Sequence, residues 1–358
     1  MSSTIYKNID QQPIWAGGGS GVWLTDSDGR SYLDTCGGVA VSSLGHCHPR
    51  VIDAITQEAK NLSWAHAGSF TTPAAEELAE LLTSLPGGLP KAQFLSGGSE
   101  AMEVALKIAY QYHCERGESG RTLVISRRQS YHGSTLAMLA ISGNIQRRSV
   151  FEPVLGPAEF VSPCYEYRDR LDTESQQDYA QRLADELAAK IEEVGPERVA
   201  AFTAETVVGS TNGAVPAVPG YFAAIKVVCE RYGVLLLLDE VMAGLGRTGH
   251  HYAYVEDGVV PDLLAVGKGL AAGYLPISAL MVSEQIHATL GAGSGVLQNG
   301  QTHVNHPLAC AAALEVQRTI VEEDLLTNVR ARGEQLRREL AQRFADTESV
   351  GDIRGRGL

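Results

Sequence analysis

The sequence predicts an α/β protein, a large domain on a doubly wound, mainly parallel sheet plus a small domain, and three observations lead there. Val234-Leu-Leu-Leu-Leu238 is apolar without polar alternation, the pattern of a strand buried on both faces. Short apolar runs of this kind alternate with helical patterns from about residue 90 to about residue 270. Two of the runs end in reactive groups: Asp239-Glu240 follow the first, and Lys268, set between two glycines, follows Leu263-Leu-Ala-Val266. Open α/β sheets bind ligands at the carboxyl ends of their strands. A buried acid there is unfavourable unless it meets a cation or several donors.

At 358 residues the chain exceeds the usual size of one domain. Its 44% hydrophobic and 20% charged residues are those of a soluble globular protein. A net charge of -13 argues against a nucleic-acid or anionic-membrane surface. No apolar run approaches the ~20 residues that span a bilayer. The opening residues lack a basic segment followed by an apolar one, so a cytoplasmic location is expected. Six cysteines lie far apart and read as reduced structural thiols. Cys47 between His46 and His48 has no second ligand cluster, so no metal site is expected.

Taken in order, Val22-Trp-Leu-Thr25 and Ser31-Tyr-Leu33 predict a hairpin around Asp26-Ser-Asp-Gly-Arg30. The glycine-rich residues 17–21 before it read as flexible backbone, either a linker or the border of a ligand. Residues 51–61 and 72–82 predict helices, the second with Leu78, Leu81 and Leu82 on one face and Pro73 in its first turn. Ala92-Gln-Phe-Leu95 is a short strand leading into Ser96-Gly-Gly-Ser-Glu100. Ala101, Val104, Ala105, Ile108 and Ala109 then recur at helical spacing, with Ser99 the expected N-cap. A Gly-Gly-Ser turn at a helix N-terminus presents several amides and makes a phosphate cradle, although any capped helix shares the pattern.

Thr122-Leu-Val-Ile125 predicts a strand, and Tyr131-His132 beyond it either stack on an aromatic ligand or simply pack. Residues 168–193 read as an amphipathic surface helix, and 199–204 as a buried strand ended by Glu205. A helix over 221–232 leads into the central strand. Ser278-Ala-Leu-Met-Val282 is a further strand, and a long, interrupted helix runs from about 308 to 344.

Gly244-Leu-Gly-Arg-Thr-Gly249 satisfies a dinucleotide-binding pattern, but the residues after it lack a helical apolar face. No phosphate-binding G-x-x-x-x-G-K-[ST] loop exists. Among seven lysines, Lys268 alone combines an apolar strand with flanking glycines. A lysine at its ordinary pKa of ~10.4 is protonated at neutral pH, and burial lowers that value enough to make it a nucleophile able to form a Schiff base. Asp239 suits the partner of a pyridinium nitrogen. Gly98 and Ser99 suit its phosphate, and Tyr131 with Val241 the two faces of its ring. Phosphate turn, aromatic, acid and lysine, in that chain order on successive strand ends, describe a pyridoxal 5'-phosphate site.

With these residues in place, the chain resembles the class III pyridoxal-phosphate aminotransferases of fold type I over nearly its whole length. The likeness is carried by Gly19-Ser-Gly-Val-Trp-Leu-Thr-Asp-Ser-Asp-Gly-Arg-Ser-Tyr-Leu-Asp34, Leu44-Gly-His-Cys-His-Pro49 and Ser96-Gly-Gly-Ser-Glu-Ala101. It continues through Tyr131-His-Gly133, Asp239-Glu-Val241, Gly246-Arg-Thr-Gly249, Pro261-Asp262, Gly267-Lys-Gly-Leu270 and His306-Pro307. The resemblance implies that Lys268 forms the Schiff base and shuttles a proton, and that Asp239 partners the ring nitrogen. It implies that Gly98 and Ser99 hold the phosphate, that Tyr131 and Val241 flank the ring, and that His132 and Glu205 lie beside it. Thr302 is implied to be a phosphate ligand donated by a neighbouring subunit, and the protein a homodimer.

Met242 stands where ornithine- and 4-aminobutyrate-type members carry Gln, and Gly209-Ser210 where they carry Gly-Glu. Both departures point to the ω-amino acid or amine:pyruvate branch. The expected division is 1–70 as arm and small-domain segment, 71–310 as the large cofactor-binding domain, and 311–358 as the start of a small C-terminal domain. That domain is expected to be truncated after Arg354-Gly-Arg-Gly-Leu358, beyond which members often bring an arginine for the substrate carboxylate. The expected activity moves an amino group from an ω-amino acid, amine or amino acid to an oxo acid such as pyruvate. Aminomutase, racemase or decarboxylase chemistry uses the same apparatus. A dimerising homologue without catalysis is the remaining alternative.

Overall fold

The computed structural model describes residues 3–358. At the N-terminus, β1 (Ala16–Ser20), β2 (Trp23–Asp26) and β3 (Ser31–Leu33) form an antiparallel sheet. Asp26 ties its turn: Oδ1 accepts from the amides of Asp28 and Arg30 at 2.9 Å, and Oδ2 from the Tyr32 hydroxyl at 2.8 Å. The glycine run read as flexible backbone is therefore a strand. Pairing with β2, Gly19 opposite Leu24, fixes it despite the weak strand preference of glycine.

The main sheet contains β4 (Lys91–Leu95), β5 (Leu123–Arg127), β6 (Glu159–Val161) and β7 (Val199–Glu205). After a two-stranded ribbon of β8 (Val207–Val208) and β9 (Val215–Pro216) come β10 (Leu235–Glu240), β11 (Leu263–Val266) and β12 (Ser278–Val282). Seven strands lie in the order β4-β12-β11-β10-β7-β5-β6. Six run parallel, while β12 runs antiparallel between β11 and β4. The β11–β12 connection holds only a short 3-10 turn and no crossover helix, and a parallel return needs a dozen or more residues, usually helical. The chain must turn back beside β11, and that return places Lys268 on the rim.

Side chains alternate along β10. Leu236 and Leu238 join a core with Leu183, Leu187, Phe222 and Ile225, on the side of the Gln176–Val194 and Tyr221–Tyr232 helices. Leu235 and Leu237 join a second core with Val104 and Ile108 of the Gly98–Glu115 helix. One step further, the same alternation sends Asp239 and Glu240 to opposite faces.

Several boundaries differ from the sequence pattern. The strand expected to stop at Leu238 continues through Glu240, because Asp239 and Glu240 still pair with Ala265 and Val266 of β11. The helix expected from 168 begins at Gln176, where Ser175 and Asp178 form a reciprocal capping box, and Glu166–Asp169 is a separate turn. Ser99 does not cap its helix, whose N-cap is Gly97; Ser99 Oγ accepts from the Ser134 amide at 3.1 Å instead. The interrupted C-terminal helix is two helices, Pro307–Glu322 and Leu325–Arg343, broken where Asp324 adopts φ +48°. The Pro49–Asn61 helix packs on the first of them through Val51, Val316 and Ile320. Residues 244–249 fold back, with the Leu245 and Gly246 amides donating to His251 and His250 carbonyls, and open no helix. No helix among the described residues is long and apolar enough to cross a membrane.

Candidate active site

The carboxyl ends of the parallel strands deliver the predicted residues to one rim. Register places Asp239 beside Glu205 on one side and Ala265 on the other, three residues before Lys268. Asp239 is held twice: its Oδ2 accepts from His132 Nδ1 at 2.8 Å and its Oδ1 from the Val241 amide at 3.0 Å. His132 is fixed in turn, with Nε2 3.2 Å from Ser126 Oγ and its amide donating to Ser142 Oγ at 2.8 Å. Both ring nitrogens are engaged, so the imidazole orients the acid. Ser126, hidden inside an apolar strand, gave no signal in the sequence.

Glu205 accepts from the Tyr131 amide at 3.0 Å and the Gly209 amide at 3.1 Å. Burial pushes its carboxyl above the ordinary range; His132 opposes this and Asp239 adds to it. Burial likewise holds the Lys268 amine below its ordinary pKa, against the attraction of Asp239 and Glu205. Lys268 sits at φ +40°, a left-handed conformation uncommon outside glycine and typical of sites where the surrounding structure fixes a reactive group.

The Gly98–Glu115 helix opens on the same rim. Its first backbone hydrogen bond runs from the Ala101 amide to the Gly97 carbonyl, so the amides of Gly98, Ser99 and Glu100 precede the ladder. Ser278 Oγ, at the start of β12, donates to the Gly97 carbonyl at 2.8 Å and steadies the turn; the sequence did not single it out. A Cβ on Gly98 would lie 2.7 Å from Val241 Cγ1, so only glycine lets the turn approach Val241 this closely.

These residues enclose a cavity of about 410 Å³, within the size range of small-molecule and cofactor sites. Gly98, Ser99, Tyr131, Glu205, Asp239 and Lys268 line it, with His132 and Val241, and Val41, Met242, Leu275 and Ile277 add an apolar wall. Met242 Sδ fills the space that a side chain at Gly209 would occupy, and Ser210 lines the cavity beside it. Thr302 does not line this cavity. It is exposed in the segment after the Glu284–Ala292 helix, its carbonyl accepting from Trp64 Nε1 at 2.9 Å.

Amides for an anion, a buried carboxylate for a ring nitrogen, a desolvated amine and two flanking side chains make a donor set that fits pyridoxal 5'-phosphate.

Comparison with known proteins agrees. Residues 5–358 match the family model for class III aminotransferases. An aminotransferase of Gibberella zeae is 42% identical over 99% of this chain and 70% of its own length. Among solved structures, a thermostable (S)-enantioselective ω-transaminase from Thermomicrobium roseum superposes with a TM-score of 0.92 at 34% identity, covering 99% of this chain and 79% of that one. The ω-transaminase of Pseudomonas jessenii, solved in complex with PMP, gives 0.90 at 34% identity, covering 97% and 77%. The chain belongs to the class III aminotransferases, pyridoxal-phosphate-dependent enzymes of fold type I that move amino groups from donors to oxo acceptors.

Proposed function

We propose that this aminotransferase takes its amino group from an ω-amino acid or amine and passes it to an oxo acid such as pyruvate. The observation that carries this reading is the convergence of Lys268, Asp239 and the Gly98-Ser99 turn on one cavity, one wall of which is the apolar set Val41, Met242, Leu275 and Ile277. Met242 and Ser210, which both line the cavity, support the donor class, because a thioether and a short hydroxyl occupy the positions where other branches carry Gln and Glu. The likeness to ω-transaminases supports it as well.

Gly98 and Ser99 would hold the cofactor phosphate, Tyr131 and Val241 its ring faces, and Asp239 its nitrogen, with Glu205 alongside. When bound, pyridoxal phosphate supplies an electron-accepting ring that stabilises negative charge on the substrate carbon. His132 keeps Asp239 in a single orientation by its 2.8 Å bond. Lys268, whose neutral form burial favours, would act as the base that takes a proton from the substrate carbon.

The homodimer belongs to this proposal. Val39, Phe70 and Ile145 keep 67%, 68% and 79% of their surface exposed in the single chain, and Thr302 stands outside its own cavity. We also assign 71–310 to the cofactor-binding body and 1–70 with 311–358 to a small domain, on the packing of Val51 against Val316 and Ile320. Six free thiols suit a cytoplasmic location.

A panel of ω-amino acids and amines, each offered with pyruvate or 2-oxoglutarate, tests the proposal. Oxo-acid-dependent deamination of amines is expected, and Lys268→Ala should lower it by about 10²–10⁴-fold or more, the scale of a lost general base. Carbon dioxide release or isomerisation without an oxo acid would point to a decarboxylase or mutase instead. Full turnover in the variant would remove Lys268 from the reaction.

A further inference from the structure

We propose that Gln111 and Lys107 are positioning residues for the cofactor phosphate of the neighbouring subunit, acting through Thr302. The inference rests on the reading that Thr302 serves the partner's site.

Thr302 lies in a segment, residues 293–306, with no helix or strand of its own. Such a stretch samples many conformations unless side chains fix it. Here one ridge of the Gly98–Glu115 helix does so. Lys107, Gln111 and Glu115 are spaced four apart and share a face. Glu115 Oε2 accepts from the Ser294 amide at 3.0 Å. Gln111 Nε2 donates to the Val296 carbonyl at 2.7 Å and to Ser294 Oγ at 3.3 Å, while Gln111 Oε1 accepts from the Gln298 amide at 2.9 Å. Lys107 Nζ donates to Asn299 Oδ1 at 2.7 Å, three residues before Thr302. Beyond Thr302, the Asn305 amide donates to the Phe94 carbonyl and Asn305 Oδ1 accepts from the Phe94 amide, both at 3.0 Å. The segment is thus pinned on both sides of Thr302.

Gln111 is 91% buried, an amide withdrawn from water and engaged at both its ends. The helix that carries it begins at Gly98 and Ser99, this chain's own phosphate turn. About 20 Å of rigid helix therefore joins the turn that would serve one cofactor to the grip on the threonine that would serve the other.

The test uses the full-length dimer freed of cofactor and titrated with pyridoxal 5'-phosphate, in wild type, Gln111→Leu, Thr302→Ala and the double variant. Each single change should weaken binding about five- to tenfold, the scale of one or two lost hydrogen bonds. The double variant should be within about twofold of Thr302→Ala, since Gln111 has nothing left to position. Hydrogen exchange over residues 294–302 should accelerate in Gln111→Leu. Multiplicative losses in the double variant, or unchanged affinity in Gln111→Leu, would overturn the inference and leave the ridge a plain loop clamp. Unchanged affinity in Thr302→Ala would overturn the underlying reading, and with it the inference, and that arm alone reveals which failed. Should Gln111→Leu not assemble, Lys107→Met at its exposed position carries the same cycle with the same outcomes.

Discussion

Asp239 and Glu240 are neighbours in sequence and strangers in chemistry. The first faces the cofactor cavity, whereas the second is fully buried on the opposite face. Burial pushes the Glu240 carboxyl up to about 7, against Thr206 Oγ1 at 2.7 Å and the amides of Ala253 and Tyr254 at 2.8 and 2.7 Å. An unfolded glutamate titrates near ~4.3, so the folded chain binds this proton more tightly. The stability this group contributes is full below that value and is lost as pH rises through about 7. Thermal unfolding between pH 5 and 8 should show this decline, and Glu240→Gln should flatten it, lowering stability by about 1–3 kcal/mol at the acid end of the range for the amide left unpaired. An unchanged slope in the variant would assign the pH dependence to another group. At this scale the sequence was most readable where chemistry is rare. Lys268 and Asp239 each end an apolar run and stand out without any partner. The bond from His132 to Asp239 links residues 107 positions apart, and nothing local in either neighbourhood announces it.

At the scale of elements, apolar runs located the strands, since burial on both faces leaves a continuous signature. Ends were harder, because side-chain hydrogen bonds decide them. The Gln176–Val194 helix begins where Ser175 accepts from the Asp178 amide and Asp178 answers the Ser175 amide. Ser175→Ala should therefore destabilise the protein by about 1 kcal/mol, measured by urea unfolding. A negligible loss would mean that the preceding turn holds the helix end by itself. Ser99 shows the converse: its residue type suits a cap, but its hydroxyl is drawn to the Ser134 amide across the rim. Strand order and the direction of β12 were not legible either, because they follow from connection lengths and three-dimensional closure rather than from residue pattern.

For the whole molecule, exposed apolar side chains argue for assembly. Phe70 is 68% exposed, and Trp64, six residues before it, touches the Thr302 segment. Sedimentation should give a dimer, and Phe70→Asp should weaken it by more than about tenfold, as expected for an aromatic anchor at an interface. A dimer of undiminished strength would place the contact on another face.

The reversed strand has a further consequence for how the protein is made. Ser278 of β12 anchors Gly97, 181 residues upstream, and β12 is the neighbour through which β4 joins the sheet. A ribosome adding roughly 5–20 residues per second needs on the order of 10–40 seconds to cover that distance. Throughout that interval β4 is an unpaired edge open to stray strands, and the turn at its end has no anchor. The turn at Gly97 and Gly98 therefore takes its final form only after β12 has been made.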